Sequence, residues 1–167
     1  MLYDFWDEVD RAEVRVEGKK HERCDRWQRQ RWICPGADWH FVGRLFTDMD
    51  YSPRRCLWAH PVSEGPLVLE FDDVPIGDAI VGRHGIRRTG VGRNPSPVVL
   101  EVTVDDRSVG RFEAADRMGY FDFRADTRAL AGQRRKVRFS VSARNVGTRH
   151  YCFEARSVAG TGGGPGD

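Results

Sequence analysis

Apolar and polar residues alternate over short stretches of this chain, and this alternation restricts its fold more than any other feature. In "VVLEVTV", Val98, Leu100 and Val102 would lie on one side of an extended strand, with Glu101 and Thr103 on the other. The same period of two recurs at residues 12–16, 67–71, 121–125, 137–141 and 151–155. Because such alternation is typical of half-buried strands, the sequence predicts about eight strands, each with one polar face.

Helical patterns are short by comparison. Leu2, Phe5, Trp6 and Val9 have helical spacing, which predicts a short N-terminal helix over residues 3–10. Residues 126–131 predict a single turn that Gly132 closes, and Asp105-Asp106 predicts a tight hairpin turn within residues 98–112. Many short strands without alternating helices favour an all-β fold, an antiparallel β-sandwich of the jelly-roll type.

The length of 167 residues fits one domain, which we assign to residues 1–158. The tail "AGTGGGPGD", residues 159–167, is predicted to be disordered because it is polar and rich in glycine. Residues 81–97 form the longest internal stretch without a strand pattern, and this stretch is interpreted either as a binding loop or as a mobile hairpin tip.

No apolar run is long enough to span a membrane, and charged residues interrupt the first twenty positions, so no signal-peptide core is recognisable. The chain is therefore expected to be either cytoplasmic or a piece of a longer exported protein, and we favour an extracytoplasmic location. Three of the 27 basic residues are lysines, which leaves 24 arginines. Codon bias explains this excess as well as ligand binding does.

Four cysteines lack the C-x-x-C spacing of zinc ribbons and redox motifs, so the sequence predicts no metal site and no cofactor. In an exported chain, Cys24 and Cys34 are close enough in sequence to bridge. Cys56 would then pair with Cys152 across the sandwich. In a cytoplasmic chain all four would be free thiols, and Cys152 would be buried and inert.

The segment "DTRALAGQRRKVRFSVSA", residues 126–143, together with the preceding "YFDF", resembles the late strands of galactose-binding-like jelly-roll domains. Many carbohydrate-binding modules share that architecture. The resemblance implies a non-enzymatic binding module, often joined to a larger enzyme or cell-surface protein, whose ligand contacts loops at one end of the sandwich. It carries over no individual functional residue.

Candidate site residues are those predicted at strand ends. In "PRRCLWAHP", residues 53–61, a strand would place Arg55, Leu57 and Ala59 on one face and Cys56, Trp58 and His60 on the other. We predict that the polar side chains of several strand ends converge on a ligand: His60, Arg83, His84, Arg149 and His150. Three aromatic residues are candidates for stacking on a sugar ring, or else for the core: Trp39, Trp58 and Tyr151.

No serine, histidine or carboxylate motif of a known catalytic set is present, so an enzyme is disfavoured. The predicted function is a non-catalytic module that binds a glycan or another polar or anionic ligand. The first alternative is a protein-interaction module in a larger assembly. The second is a nucleic-acid or polyanion binder. It would need four arginines to share a face with the arginines of residues 83–93, with exposed tryptophans between them as stacking platforms, namely Arg23, Arg26, Arg29 and Arg31 with Trp27 and Trp32. Scattered acidic residues count against nucleic acid.

Overall fold

Fourteen strands and three 3-10 turns make up the regular structure of residues 1–18 and 22–160, the part of the chain that the computed structural model describes. The strands are β1 (Tyr3–Asp4), β2 (Glu13–Val16), β3 (Glu22–Arg23), β4 (Arg26–Gln28), β5 (Arg31–Ile33), β6 (Phe41–Asp48), β7 (Pro53–Ala59), β8 (Leu67–Pro75), β9 (Ala79–Ile86), β10 (Val98–Val104), β11 (Arg107–Ala114), β12 (Phe121–Asp126), β13 (Arg134–Ala143) and β14 (Tyr151–Val158). The 3-10 turns are Val9–Arg11, Arg88–Gly90 and Arg128–Leu130. No described helix is long and apolar enough to cross a bilayer.

The strands form two antiparallel sheets. The first has the order β12-β9-β14-β7-β6-β5-β4, with β1 paired to the free part of the β14 edge. The second has the order β11-β10-β13-β8-β2-β3. The inner faces of both sheets meet in one core, where the aromatic rings of Phe5, Phe71, Phe139 and Phe153 pack edge to face or tilted. The predicted antiparallel β-sandwich is confirmed.

The strand pattern of the sequence is also confirmed locally. Residues 98–104 and 107–114 form the predicted hairpin, and Asp105 and Asp106 adopt positive φ angles of 46° and 66° in its turn. Asp tolerates this left-handed conformation better than most residues do, and two consecutive positive φ values suit a tight two-residue turn. The single turn expected over residues 126–131 is present as a 3-10 turn at residues 128–130, and Gly132 follows it with a φ of 85°.

The predicted N-terminal helix over residues 3–10 is wrong. Leu2 and Phe5 donate backbone hydrogen bonds to the last strand, at Ser157 and Ala155, so this segment runs extended along β14. The Asp4 carboxylate then accepts from the Trp6 amide and turns the chain. Phe5, Trp6 and Val9 are buried, as the helical pattern predicted. The structure that buries them is a short strand followed by a turn, however, and not a helix.

The prediction of a structureless loop over residues 81–97 is wrong for its first part. Residues 79–86 form β9, which pairs with β12 on one side and β14 on the other. Gly82 interrupts the alternation of apolar and polar side chains in this strand. Glycine is needed there because a side chain would collide with the Phe123 ring and the Glu154 carbonyl. The sequence predicted about eight of the fourteen strands. Four of those missed, β1, β3, β4 and β5, have two or three residues each and cannot show alternation, and β6 and β9 were missed as well. Of the predicted disordered tail, residues 161–167 lie outside the described residues.

Candidate functional site

A second apolar cluster lies on the outer side of the first sheet. Leu57 and Ala59 of β7 point into the core between the sheets, and Cys56 and Trp58 point outward. The predicted separation of these residues onto opposite faces is present, but Trp58 does not lie in the core between the sheets. The members of this outer cluster are Phe41, Met49, Cys56, Trp58 and Cys152, with Ile33, Leu45 and Tyr120 packed against them. The sheet is therefore buried on both faces at this point, and aromatic side chains reach its outer surface.

Both predicted disulfides are present, Cys24–Cys34 and Cys56–Cys152. The second does not cross the sandwich as expected. Cys152 pairs in register with Trp58, two residues from Cys56, so the bridge links neighbouring strands of one sheet on its outer face. The antiparallel order of β7 and β14 causes this, since both cysteines occupy outward positions of adjacent strands.

Two tryptophans and two histidines meet at one end of this sheet, and we call Trp39, Trp58, His60 and His150 the aromatic–histidine cluster. The ring centroids are 4.4 Å apart for Trp39 and His60, 5.5 Å for His60 and His150, and 5.6 Å for Trp58 and His150. The Trp39 side chain is 44% exposed, whereas that of Trp58 is 6% exposed. Trp39 is therefore the member that can present a ring face to a ligand.

The topology explains why these residues meet. The start of β6, the end of β7 and the start of β14 lie at the same end of the first sheet, since Val42 pairs with Ala59 and Cys152 pairs with Trp58. Trp58 lies within β7, and the segments next to these strand ends carry Trp39, His60 and His150. Trp58 stacks on Phe41 and donates its indole N–H to the Trp39 carbonyl at 2.9 Å, which fixes the segment before β6 to the sheet.

Both histidines of the cluster are neutral near pH 7. Burial lowers the pKa of His60 to about 4, against the opposing effect of its hydrogen bond to the Pro61 carbonyl. His60 Nδ1 lies 2.8 Å from that carbonyl and must donate to it, so Nε2 of the neutral ring is an acceptor. Burial also lowers the pKa of His150, with further effects from Arg87 and Arg149. Nδ1 of His150 is buried without a hydrogen-bond partner.

A cleft of about 530 Å³ opens beside Trp39. The described residues that line it are Glu22, Pro35, Gly36, Ala37, Trp39, His40, Val62, Ser63, Glu64 and Val146. Glycine at position 65 lets the turn after β7 approach the backbone of residues 17–18, because a side chain there would collide with the Glu17 carbonyl. This close approach places the Ser63 hydroxyl and the Glu64 carboxylate at the cleft.

Arg83 and His84 do not join the cluster. Arg83 points outward from β9, 3.5 Å from the Glu154 carboxylate on β14, in a surface depression of about 400 Å³. Glu154 lies four residues beyond His150, roughly 13 Å along the strand. His84 points into the core, where Nδ1 lies 2.8 Å from the Tyr151 hydroxyl and burial lowers the pKa of the ring to about 4.

Arg149 and Tyr151 are fully buried. The Arg149 guanidinium bonds the Asp116 carboxylate at 3.2 Å and the carbonyls of Ser96 and Gly90 at 3.1 and 2.9 Å. It holds together the loops next to His150 and has no exposed surface for a ligand. Tyr151 packs among core rings, so neither of its faces is open to a sugar. Of the five residues predicted to converge, His60 and His150 therefore lie together in the cluster, whereas Arg83, His84 and Arg149 do not join it.

The described part of the chain gives the nucleic-acid alternative little support. Trp27 and Trp32 pack against each other, with ring centroids 5.1 Å apart, and against the inner core. The Trp32 indole N–H donates to the Val9 carbonyl at 2.8 Å. Arg31 covers the Phe41 ring at 4.1 Å. These rings serve the packing of β4 and β5, so they are not open platforms for bases.

Sequence reasoning missed Ser63 and Glu64 as cleft residues. Pro35-Gly36 is a turn signal, and Gly36 has a φ of 108°, so a turn that returns the chain toward β6 was foreseeable. The packing of the Glu64 turn on residues 17–18 was not, since it depends on a contact between segments far apart in the chain.

No protein-family model and no curated protein matches this chain. Similar solved structures include a CBM51 module of a Clostridium perfringens GH95 protein in complex with methyl-galactose, at 10% identity over 66% of this chain and 78% of that chain, with a TM-score of 0.43. A structure of CBM51-2 in complex with GlcNAc and INT domains from Clostridium perfringens ZmpB is 14% identical over 68% of this chain and 25% of that chain, with a TM-score of 0.46. Xylanase 10C of Cellvibrio japonicus, in complex with xylopentaose, is 8% identical over 86% of this chain and 26% of that chain, with a TM-score of 0.42.

Carbohydrate-binding modules are thus among the solved structures to which this chain is similar. The chain spans about a quarter of the length of the second and third of these structures. At these identities and TM-scores, the similarity does not assign a function to this chain.

Proposed function

We propose that the protein is a non-catalytic carbohydrate-binding module, and that the aromatic–histidine cluster with its adjoining cleft holds the sugar. The observation that carries this proposal is the position of Trp39, a tryptophan 44% exposed at the rim of a cleft with polar lining. A pyranose has an apolar face of C–H groups and an equator of hydroxyls. An open indole face covers the first, and side-chain acceptors beside it bind the second.

The polar groups at the site suit neutral hydroxyls. The Nε2 acceptor of His60 and the partnerless Nδ1 of half-buried His150, both in the cluster, and the Ser63 hydroxyl at the cleft are uncharged hydrogen-bonding groups. Glu22 and Glu64 add carboxylates that accept hydrogen bonds from a sugar and repel phosphate or sulfate. We therefore infer a neutral sugar rather than a polyanion as the ligand.

Two disulfides agree with an oxidising compartment, where glycans on cell surfaces and in the extracellular space are accessible. We accordingly propose an extracytoplasmic location. We also propose that the module acts as an accessory domain and directs an attached partner domain to its glycan.

The test is binding of the labelled full chain to a glycan array, with single-stranded oligonucleotides on the same slide, followed by titration calorimetry with the best glycan. The proposal predicts binding to a subset of neutral glycans. Trp39→Ala is expected to weaken that binding about tenfold or more, the change that ~1.4 kcal/mol of lost contact produces.

Phe46→Ala is the matched control, because Phe46 is another exposed aromatic residue, at 69%, on the strand that follows Trp39. It should bind like the unmodified protein. Equal affinity of Trp39→Ala and Phe46→Ala would place the ligand elsewhere. Binding to oligonucleotides but to no glycan would favour the polyanion alternative instead.

A further inference from the structure

Three side chains beside the proposed sugar site form a second group of chemical interest. The sulfur atoms of Cys24 and Cys34 and one ring nitrogen of His40 lie within 4.8 Å of one another. All three residues are buried, with exposed fractions of 1%, 3% and 8%. The two cysteines form a disulfide in this structure.

The hydrogen bonding of His40 is that of a metal ligand. His40 Nδ1 lies 3.0 Å from the Pro35 carbonyl, and a carbonyl only accepts, so Nδ1 carries the proton. In the neutral ring the lone pair is then on Nε2, which is buried without any hydrogen-bond partner. Metal-bound histidines typically show this arrangement, in which a backbone carbonyl holds one ring nitrogen and orients the other.

The fold brings Cys24, Cys34 and His40 together, although they match no metal-binding sequence motif. Cys24 lies just before β4 and Cys34 just after β5, and the antiparallel pairing of these strands brings the two sulfurs together. The turn through Pro35 and Gly36 then returns His40 to the same place, where its amide donates to the Ala37 carbonyl. A search for C-x-x-C spacing misses such a site.

We propose that Cys24, Cys34 and His40 become a zinc site when the Cys24–Cys34 disulfide is reduced. A dithiol reductant supplies two electrons and two protons, the S–S bond breaks, and two thiols form while the dithiol becomes a disulfide. Zinc binding then releases the two thiol protons to solvent and leaves two thiolates on the metal.

The spacing of the three groups suits zinc after a small adjustment. Zinc–sulfur bonds of about 2.3 Å and zinc–nitrogen bonds of about 2.0–2.1 Å put tetrahedral ligand atoms roughly 3.5–3.8 Å apart. Rotation of the two cysteine side chains after reduction provides this separation. Pro35, Gly36 and Ala37 line both neighbouring clefts, one of which includes His40 and the other Cys34, so open space adjoins the group on two sides.

The experiment uses the full chain, with cobalt(II) as a spectroscopic probe and zinc as competitor. A phosphine reductant is added in steps, and alkylation with mass spectrometry records which disulfide has opened, while near-ultraviolet circular dichroism records tertiary structure. We expect one cobalt per chain, with a thiolate-to-cobalt charge-transfer band, once Cys24–Cys34 is open. The untreated protein should show no such band, and zinc should abolish it.

Variants assign the ligands. Cys24→Ser and Cys34→Ser should each reduce the charge-transfer band, and His40→Ala should weaken cobalt binding at least tenfold. A Cys56→Ser/Cys152→Ser protein, which lacks the other disulfide, should still give the band after reduction. The proposal is overturned if the folded protein with an open Cys24–Cys34 pair gives no band. It is equally overturned if the band needs Cys56 and Cys152, or if opening this pair destroys the tertiary structure and zinc does not restore it.

Discussion

Separate removal of each disulfide should reveal how much each one stabilises the sandwich. The perturbations are Cys56→Ala/Cys152→Ala and Cys24→Ala/Cys34→Ala. The first bridge spans 96 residues and the second spans 10. If a bridge acts mainly by restricting the unfolded chain, the free energy of unfolding should fall by ~4.7 kcal/mol for the first and by ~2.7 kcal/mol for the second.

The comparison between the two variants is more informative than either value. All four cysteines are buried to a similar extent, so replacing them with alanine removes similar packing in both proteins. The difference of ~2 kcal/mol should therefore reflect loop length alone. Urea unfolding followed by tryptophan fluorescence measures both free energies under one set of conditions, and equal slopes would show that the extent of unfolding is unchanged.

The reasoning would be refuted if the Cys24→Ala/Cys34→Ala protein lost as much stability as the other variant, or more. That result would mean that the short bridge stabilises the native loops directly, through the packing around Pro35 and His40, and that chain entropy is secondary.

Two further predictions concern buried charge. Removing Arg149 by substitution with alanine should lower stability by about 3–5 kcal/mol, because the Asp116 carboxylate keeps the Gly92 amide but loses its positive partner, and the carbonyls of Ser96 and Gly90 lose their guanidinium donor. Arg83→Ala removes a side chain that is 42% exposed and should lower the free energy of unfolding by less than ~1 kcal/mol in the same urea titration. Similar losses for the two variants would contradict the assignment of Arg149 as a buried structural residue. Stability should also fall between pH 6.5 and about 4, since His60 and His84 have folded pKa values lowered to about 4 and unfolded chains bind the proton first. Each ring contributes roughly 3 kcal/mol that is fully present above pH 6.5, so urea midpoints that do not change between pH 7 and pH 4.5 would contradict the burial of both rings.

The sheets could be predicted from sequence because alternation is a local property. Residues 67–71, 98–104 and 137–141 each carry enough alternating positions to show which face is apolar, and each forms a strand with that face inward. The strand at residues 79–86 was missed because two of its eight positions are glycines. Glycine is needed at both because neighbouring segments approach too closely for a side chain. The close approach of one backbone segment to another cannot be recognised from the residue pattern of a single sequence.

The candidate site was predictable only in part, for the same reason. The alternation in "PRRCLWAHP" correctly put Cys56, Trp58 and His60 on one face, and the strand ends correctly brought His60 near His150. Whether an arginine is exposed or buried depends on where an acidic partner lies. Asp116, which neutralises Arg149, is 33 residues away and belongs to no shared motif, so the sequence could not show that Arg149 is structural.

The proposed function gives different roles to the two sides of the first sheet. Inward positions of β7 and β14, such as Leu57 and Phe153, complete the core between the sheets, and outward positions support the segment that carries Trp39. Trp58 links the two roles, because its ring packs on Phe41 while its N–H holds the Trp39 carbonyl. Residues 34–41 are thus fixed at one end by the Cys24–Cys34 bridge and at the other by the outer cluster. A stacking tryptophan in such a segment is positioned before the ligand arrives, so less conformational entropy is lost on binding than in a free loop.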